Sequence, residues 1–362
     1  MIKSVYIHIP FCKDICSYCA FSKFYYNEEW ALKYLDSLEK EIDLYYNRED
    51  IIETIYIGGG TPSSLSKEML FKLFKIISKF NVSRVLEFTF ECNFDISYEY
   101  LDILKENNVN RLSFGVETVN SKYYKDINRY NDVKNIINKI NYAKKIGFNN
   151  INCDLMYGFK NQKINDLKKD IDFILSLDVS HISTYSLMVE ENTKMFVSKY
   201  KSVSEDVDSS FYNYIHEILE KNGYLHYEVS NFSKVGYSSK HNLTYWKNLE
   251  YYGFGISASG YIDGVRYTNT KSFRKYINDF YRYSEEELDV NDKITYEVIL
   301  GLRTKMGIDL DDFYNKYGVS FKDKYDISYE LHEKYLEISG NYLYIPFDKW
   351  YVMNSILLKF VR

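Results

Sequence analysis

Val5-Tyr6-Ile7-His8-Ile9-Pro10-Phe11-Cys12-Lys13-Asp14-Ile15-Cys16-Ser17-Tyr18-Cys19 opens the chain with a strand-like run that passes straight into a loop carrying three cysteines. Soft thiolates at such short spacing suit an iron–sulfur cluster or zinc. A structural zinc site wants four ligands, and only Cys12, Cys16 and Cys19 cluster here. Cys92 and Cys153 lie far along the chain in predicted strands and read as small core residues. Three thiolates on a four-iron cube leave one iron open, where a substrate or cofactor can coordinate. The spacing therefore predicts a [4Fe–4S] cluster on Cys12, Cys16 and Cys19.

Working outward, further strands are predicted over 54–57, 86–91, 111–116, 150–156 and 181–186, with helices over 28–46, 67–79, 98–107, 133–146 and 164–177. Gly147 stops one helix, as glycine does at helix C-termini. Alternation of this kind implies an α/β fold with a parallel sheet. Six units are too few to close an eight-stranded barrel. The expectation is an open six-stranded (β/α)6 partial TIM-type barrel with right-handed crossovers, its ligands gathered at the C-terminal strand ends. After residue 200 the pattern changes. A helix over 204–222, a β-like 224–230, an aromatic and glycine-rich 240–267, three or four helices over 272–336, a hairpin-like 342–345 and a last helix suggest a smaller, mainly helical α+β domain over 201–362, following a barrel domain over 1–200.

Apolar residues make up 46% of the 362, enough for a sizeable core, and 27% are charged. A formal net charge of −5 argues against a nucleic-acid-binding protein. No run of about 18 apolar residues suggests a membrane span, and the N-terminus lacks the regions of a signal peptide. The expected location is the cytoplasm, where clustered thiols are reduced and read as metal ligands before disulfides.

Three further motifs bear on chemistry. Gly58-Gly59-Gly60-Thr61-Pro62 follows a strand; it is either a tight turn or a place where backbone N–H groups approach a ligand's carboxylate. Glu91, Asn93, Glu117, Arg129 and Asp154 sit in or beside apolar strands, where charge is costly to bury unless paired or ligand-bound. They form either internal salt bridges or a ring around a nucleoside cofactor, which Tyr6 joins. His241-Asn242-Leu243-Thr244-Tyr245-Trp246 admits a satisfied structural histidine, which residue types alone favour, or an axial ligand to haem iron with aromatics against the macrocycle.

Taken together, Tyr6-Ile7-His8-Ile9-Pro10-Phe11-Cys12 with Cys16 and Cys19, the glycine run, Glu91-Cys92-Asn93, Asn110-Arg111-Leu112-Ser113-Phe114-Gly115-Val116, Asp154-Leu155-Met156-Tyr157-Gly158 and His181-Ile182-Ser183-Thr184-Tyr185-Ser186-Leu187 resemble the radical-SAM coproporphyrinogen III oxidase family along nearly the whole chain. The oxygen-independent oxidases of that family (HemN) carry a further cysteine two residues after the third. Phe21 stands there in this chain, and together with the motif over 241–246 it resembles the HemW haem-chaperone branch.

The resemblance implies S-adenosylmethionine bound by Tyr6, Gly59, Gly60, Thr61, Glu91, Glu117, Arg129 and Asp154, and haem on His241. It implies haem delivery to apoproteins such as respiratory enzymes, an electron donor such as flavodoxin or ferredoxin, peripheral association with membrane proteins, and a monomer or homodimer. Oxidative decarboxylation of tetrapyrrole propionates is the alternative activity, and the branch likeness argues against it; whether the chain is an enzyme stays open. Two departures from the family pattern bear on the site: Glu117 replaces the frequent Gln, and the turn over 158–162 lacks the usual proline.

Overall fold

The computed structural model describes residues 1–361. Six strands, β1 (Ser4–Ile9), β2 (Ile52–Gly59), β3 (Val82–Cys92), β4 (Arg111–Glu117), β5 (Asn150–Tyr157) and β6 (His181–Ser186), lie side by side in chain order, all parallel. Between them run α1 (Glu28–Tyr45), α2 (Lys67–Ile77), α3 (Tyr98–Glu106), α4 (Ser121–Ile127), α5 (Val133–Lys145) and α6 (Ile164–Ser176). The α/β partial-barrel architecture expected from the sequence is the one observed. Helix starts are set locally: Asn27, Ser66, Ser97 and Asp132 each accept a backbone N–H of the first turn of their helix through the side chain.

Strand alternation divides the sheet into two chemically distinct faces. Val5, Ile7, Ile9, Ile55, Ile57, Phe90, Leu112, Phe114, Ile151 and Leu155 are buried in the core beneath the helices. The residues between them, including Tyr6, His8, Thr54, Tyr56, Glu91, Arg111, Ser113, Asn152, Asp154, His181 and Ser183, project to the opposite face and are almost all polar. A polar interior costs desolvation unless its groups are bonded, so this face is cross-linked by side chains. Asn152 Nδ2 donates to Ser113 Oγ (2.8 Å), while Asn152 Oδ1 accepts from His181 Nδ1 (2.7 Å) and Ser183 Oγ (3.0 Å).

The sheet continues beyond residue 200. After α7 (Glu205–Lys221), β7 (Leu225–Glu228) and β8 (Asn231–Ser233) add antiparallel to the β6 edge. Helix α8 (Lys240–Trp246) crosses the N-terminal end of the sheet, where Ser4 and Thr244 hydroxyls meet at 2.9 Å. Strand β9 (Tyr252–Phe254) then lies parallel to β1 on the far edge, making nine strands. An antiparallel sheet of β10 (Ser259–Ile262), β11 (Val265–Asn269) and β12 (Arg282–Glu287) follows. Next come α9 (Val290–Gly301), short helices, and a small sheet of β13 (Ile308–Asp309), β14 (Glu337–Ser339) and β15 (Tyr342–Tyr344). Strand β12 falls in a stretch read as helical; its Glu285-Glu286-Glu287 end is exposed and charged and carries no apolar period.

Candidate functional site

A cavity of about 620 Å³ opens at the C-terminal ends of the strands and is walled by the cysteine loop on one side. That loop is tied down at several points. Phe11–Cys12 pairs with Phe24–Tyr25. The Ser17 N–H donates to Ile127 O (3.0 Å), Asn128 Nδ2 donates to Ile15 O (2.9 Å), and the Met195 N–H donates to Ser17 O (3.1 Å). Cys12, Cys16 and Cys19 all face this one cavity. Burial pushes the Cys12 thiol up to about 11, and Cys19 is raised by the same cause. Thr61 Oγ1 lies 3.5 Å from Cys12 Sγ and Arg129 Nη1 lies 4.0 Å from Cys16 Sγ. Among the described residues no three His, Cys, Asp or Glu side chains converge as ligands of one metal ion. Three thiols lining one space are soft donors of the kind an iron–sulfur cluster takes.

The glycine run is forced by crowding. Gly59 has φ +117°, and a Cβ there would sit 2.5 Å from His8 Nδ1. One on Gly60 would sit 2.8 Å from Phe11 O and 3.0 Å from Cys12 Sγ. The N–H groups of the run meet acceptors within the protein. Gly59 donates to Glu91 Oε2 (3.1 Å), Gly60 to Ile9 O (2.9 Å) and Thr61 to Phe11 O (2.7 Å). Tyr6, on β1, has its ring beside those of His8 and Tyr56. It does not line the cavity, and its hydroxyl meets His8 Nδ1 at 3.0 Å, while His8 Nε2 donates to Ser22 O (2.9 Å). His8 is thereby held neutral, its burial lowering it to about 4, and Gly59 packs on its ring.

Glu91, Glu117, Arg129 and Asp154 do converge on the cavity wall. Glu91 accepts from Tyr56 Oη (2.8 Å) as well as Gly59, and burial raises it to about 7. Glu117 stands at a bulge in β4 with φ +61°, its Oε1 3.9 Å from Arg129 Nη1. Burial raises it to about 7 as well, with the arginine opposing. Arg129 donates to Asn93 Oδ1 (2.8 Å) and to Gly115 O. Asp154 accepts from Asn152 Nδ2 (2.7 Å) and is raised by burial. Three carboxyls around one guanidinium, Glu117 buried and Glu91 and Asp154 half-buried, make a cavity wall that is short of positive charge once its acids ionise. Such a wall suits a zwitterion that carries extra cationic groups.

Sequence reasoning missed Tyr56, which holds Glu91, and the Ser113–Asn152–His181 chain beneath Asp154. Both are signalled only by the polar alternation of the strands. The proline-free turn is held another way: Gln162 Oε1 accepts from the Gly158 and Phe159 N–H groups at 2.6 and 3.1 Å. Phe21, 68% exposed, lines the cavity mouth.

His241 lies at the other end of the sheet. It is 1% exposed, with Nδ1 2.8 Å from Thr54 Oγ1 and Nε2 2.7 Å from Tyr245 Oη. Burial lowers it to about 3, so it is neutral. A neutral imidazole offers one lone pair, and a hydroxyl already takes it. Of the two readings open for His241, the structure shows a buried histidine with a hydroxyl on each ring nitrogen.

The fold and this cavity define a class: residues 6–174 match the Radical SAM superfamily model. The heme chaperone HemW of Lactococcus lactis is 38% identical over 369 residues, covering 99% of this chain and 97% of its own. That of Bacillus subtilis is 40% identical, covering 88% of each. The chain belongs to the HemW family of radical-SAM proteins. Among solved structures, coproporphyrinogen III oxidase (HemN) from Escherichia coli superposes with a TM-score of 0.88 over 99% of this chain and 90% of that one, at 21% identity, a likeness of fold. No helix among the described residues is long and apolar enough to cross a membrane.

Proposed function

We propose that the chain is a haem chaperone that also holds a [4Fe–4S] cluster and S-adenosylmethionine, and that it hands haem to apoproteins such as respiratory enzymes in the cytoplasm. The haem role is carried by kinship over nearly full length with relatives named as haem chaperones. The cofactor reading is carried by one observation: three thiols, three carboxyls and Arg129 share a single cavity.

Cys12, Cys16 and Cys19 hold the cluster. Glu91 and Asp154 take the cationic and hydroxyl parts of the nucleoside, and Arg129, with Thr61, takes its carboxylate. Arg129 is fixed for this by Asn93 and the Gly115 carbonyl. The glycine run contributes close approach rather than N–H donors. When bound, the pair supplies one-electron cleavage of a sulfonium, for which a flavodoxin- or ferredoxin-type donor provides the electron. The residues of this chain bind, orient and shield.

The test is anaerobic reconstitution followed by haem titration and transfer of haem to an apo-acceptor. Stoichiometric haem uptake and transfer are expected. Steady turnover of coproporphyrinogen III with no haem binding would favour the oxidase instead. Phe21 argues against that outcome, since it stands where the oxidases carry their further cysteine.

A further inference from the structure

We infer that His241 is a positioning residue for the S-adenosylmethionine site, acting from beneath it through Tyr56; this rests on the proposed binding of that cofactor. The contacts form one continuous path. The imidazole is clamped between Thr54 Oγ1 (2.8 Å) and Tyr245 Oη (2.7 Å). Its ring lies over the Tyr56 ring, centroids 5.2 Å apart and planes 31° apart. Tyr56 in turn donates to Glu91 Oε1 at 2.8 Å, and Glu91 Oε2 takes the Gly59 N–H at 3.1 Å. Tyr56 is thus held by His241 at its ring and by Glu91 at its hydroxyl.

The helix that carries His241 is anchored in the same way. The Glu87 carboxylate on β3 accepts the N–H groups of Lys240 and His241, both at 3.0 Å, where a helix N-terminus favours an anion. Ser4 and Thr244 close the other side at 2.9 Å. Helix α8 is therefore a plug across the N-terminal end of the sheet, bonded to β1, β2 and β3. The histidine faces inward toward the nucleoside wall and is 1% exposed. An imidazole so placed reaches iron only if the plug leaves the sheet and both of its hydrogen bonds break.

The experiment compares wild type, His241→Ala, His241→Phe, Tyr56→Phe and the His241→Ala/Tyr56→Phe double variant of the full-length chain. It measures S-adenosylmethionine affinity by equilibrium dialysis after cluster reconstitution, and haem binding by Soret titration. Losing the support of one buried hydrogen bond corresponds to about a tenfold change in affinity. His241→Ala is expected to weaken S-adenosylmethionine by about tenfold, and His241→Phe, which keeps a ring over Tyr56, to recover most of that. The double variant is expected to be no worse than Tyr56→Phe, because the two act along one path. Haem affinity and Soret position are expected to stay at wild-type values in both His241 variants.

Loss of the wild-type Soret spectrum in His241→Phe, unchanged S-adenosylmethionine affinity in His241→Ala, or additive effects in the double variant would each overturn the inference. His241→Phe keeps an aromatic ring over Tyr56, so its haem spectrum and affinity decide the matter even if His241→Ala does not fold. A wild-type chain that binds no S-adenosylmethionine overturns the proposed function itself, which is a distinguishable result.

Discussion

Replacing Glu91 by Gln is the sharpest probe of the cavity. The carboxylate takes two donors, Tyr56 Oη at 2.8 Å on one oxygen and the Gly59 N–H at 3.1 Å on the other. An amide has one oxygen, so one of these buried donors is left facing an NH₂ group, at a cost of about 1–3 kcal/mol. The negative charge is lost as well. At pH 8 the variant is expected to bind S-adenosylmethionine about 10- to 100-fold more weakly than wild type.

The pH dependence gives a second, independent reading. Burial raises Glu91 to about 7. A carboxyl with that value is about 90% ionised at pH 8 and about 10% at pH 6, so wild-type affinity falls about tenfold over that interval. Glu117, also raised to about 7, titrates in the same range, and Asp154 shares the cavity. The Gln variant therefore keeps part of the slope while losing the Glu91 share. Isothermal titration of reconstituted protein at several pH values measures both effects. Wild-type affinity that does not vary between pH 6 and 8, or a variant that binds as tightly as wild type at pH 8, would refute the assignment of Glu91 as an ionised ligand group.

Three further outcomes are expected. Changing any one of Cys12, Cys16 or Cys19 to Ser should abolish the visible absorption of the reconstituted cluster while far-ultraviolet circular dichroism stays native; full cluster content in a single variant would remove that cysteine. Gly59→Ala places a Cβ 2.5 Å from the His8 ring at φ +117° and should destabilise the apoprotein by about 1–3 kcal/mol, read as a lowered Tm; an unchanged Tm would mean the strand ends yield freely. The third outcome concerns pH and the apoprotein. Glu41 and Glu228, both 0% exposed, are raised by burial to about 7, so their stabilisation is complete below the unfolded value of about 4.3 and is lost as pH rises through 7. The neutral buried His8, His226 and His241, lowered by burial to about 4, 3 and 3, act oppositely, and their effect is spent above about 6.5. Urea stability of the apoprotein should therefore decline from pH 6.5 to 8, and Glu41→Gln should flatten the decline; a rise over that range would refute the balance.

The six strands were legible because each is a short apolar run between helical periods, and their order follows from the connection rules. The cysteine loop was legible because its three cysteines are close in sequence. What lay beyond reach is non-local. Strand β9 is Tyr252-Gly253-Phe254, too short for any period, and only its pairing with β1 makes it a strand. The polar interior was visible residue by residue as costly charges, yet nothing in the sequence joins Asn152 to His181 or Tyr56 to Glu91. The glycine run is legible as a turn beside the cysteine loop, but the acceptors its N–H groups meet, such as Ile9 O, come into view only once the fold is in place. His241 shows the same limit. Its sequence neighbours are aromatic, and nothing in them shows that Thr54, 187 residues away, bonds its ring.

Strands β7, β8 and β9 cover both margins of the six parallel strands, and all three are translated after them. Until residue 254 has left the ribosome, the nascent sheet carries two open margins, one of them the first strand made. Unpaired margins recruit other chains, and parallel sheets order slowly. The cysteine loop is made first, but its clasp at Met195 and the plug beneath the cavity come much later. The cavity is thus completed late in the synthesis of this chain, and the hazard of misassociation falls before it.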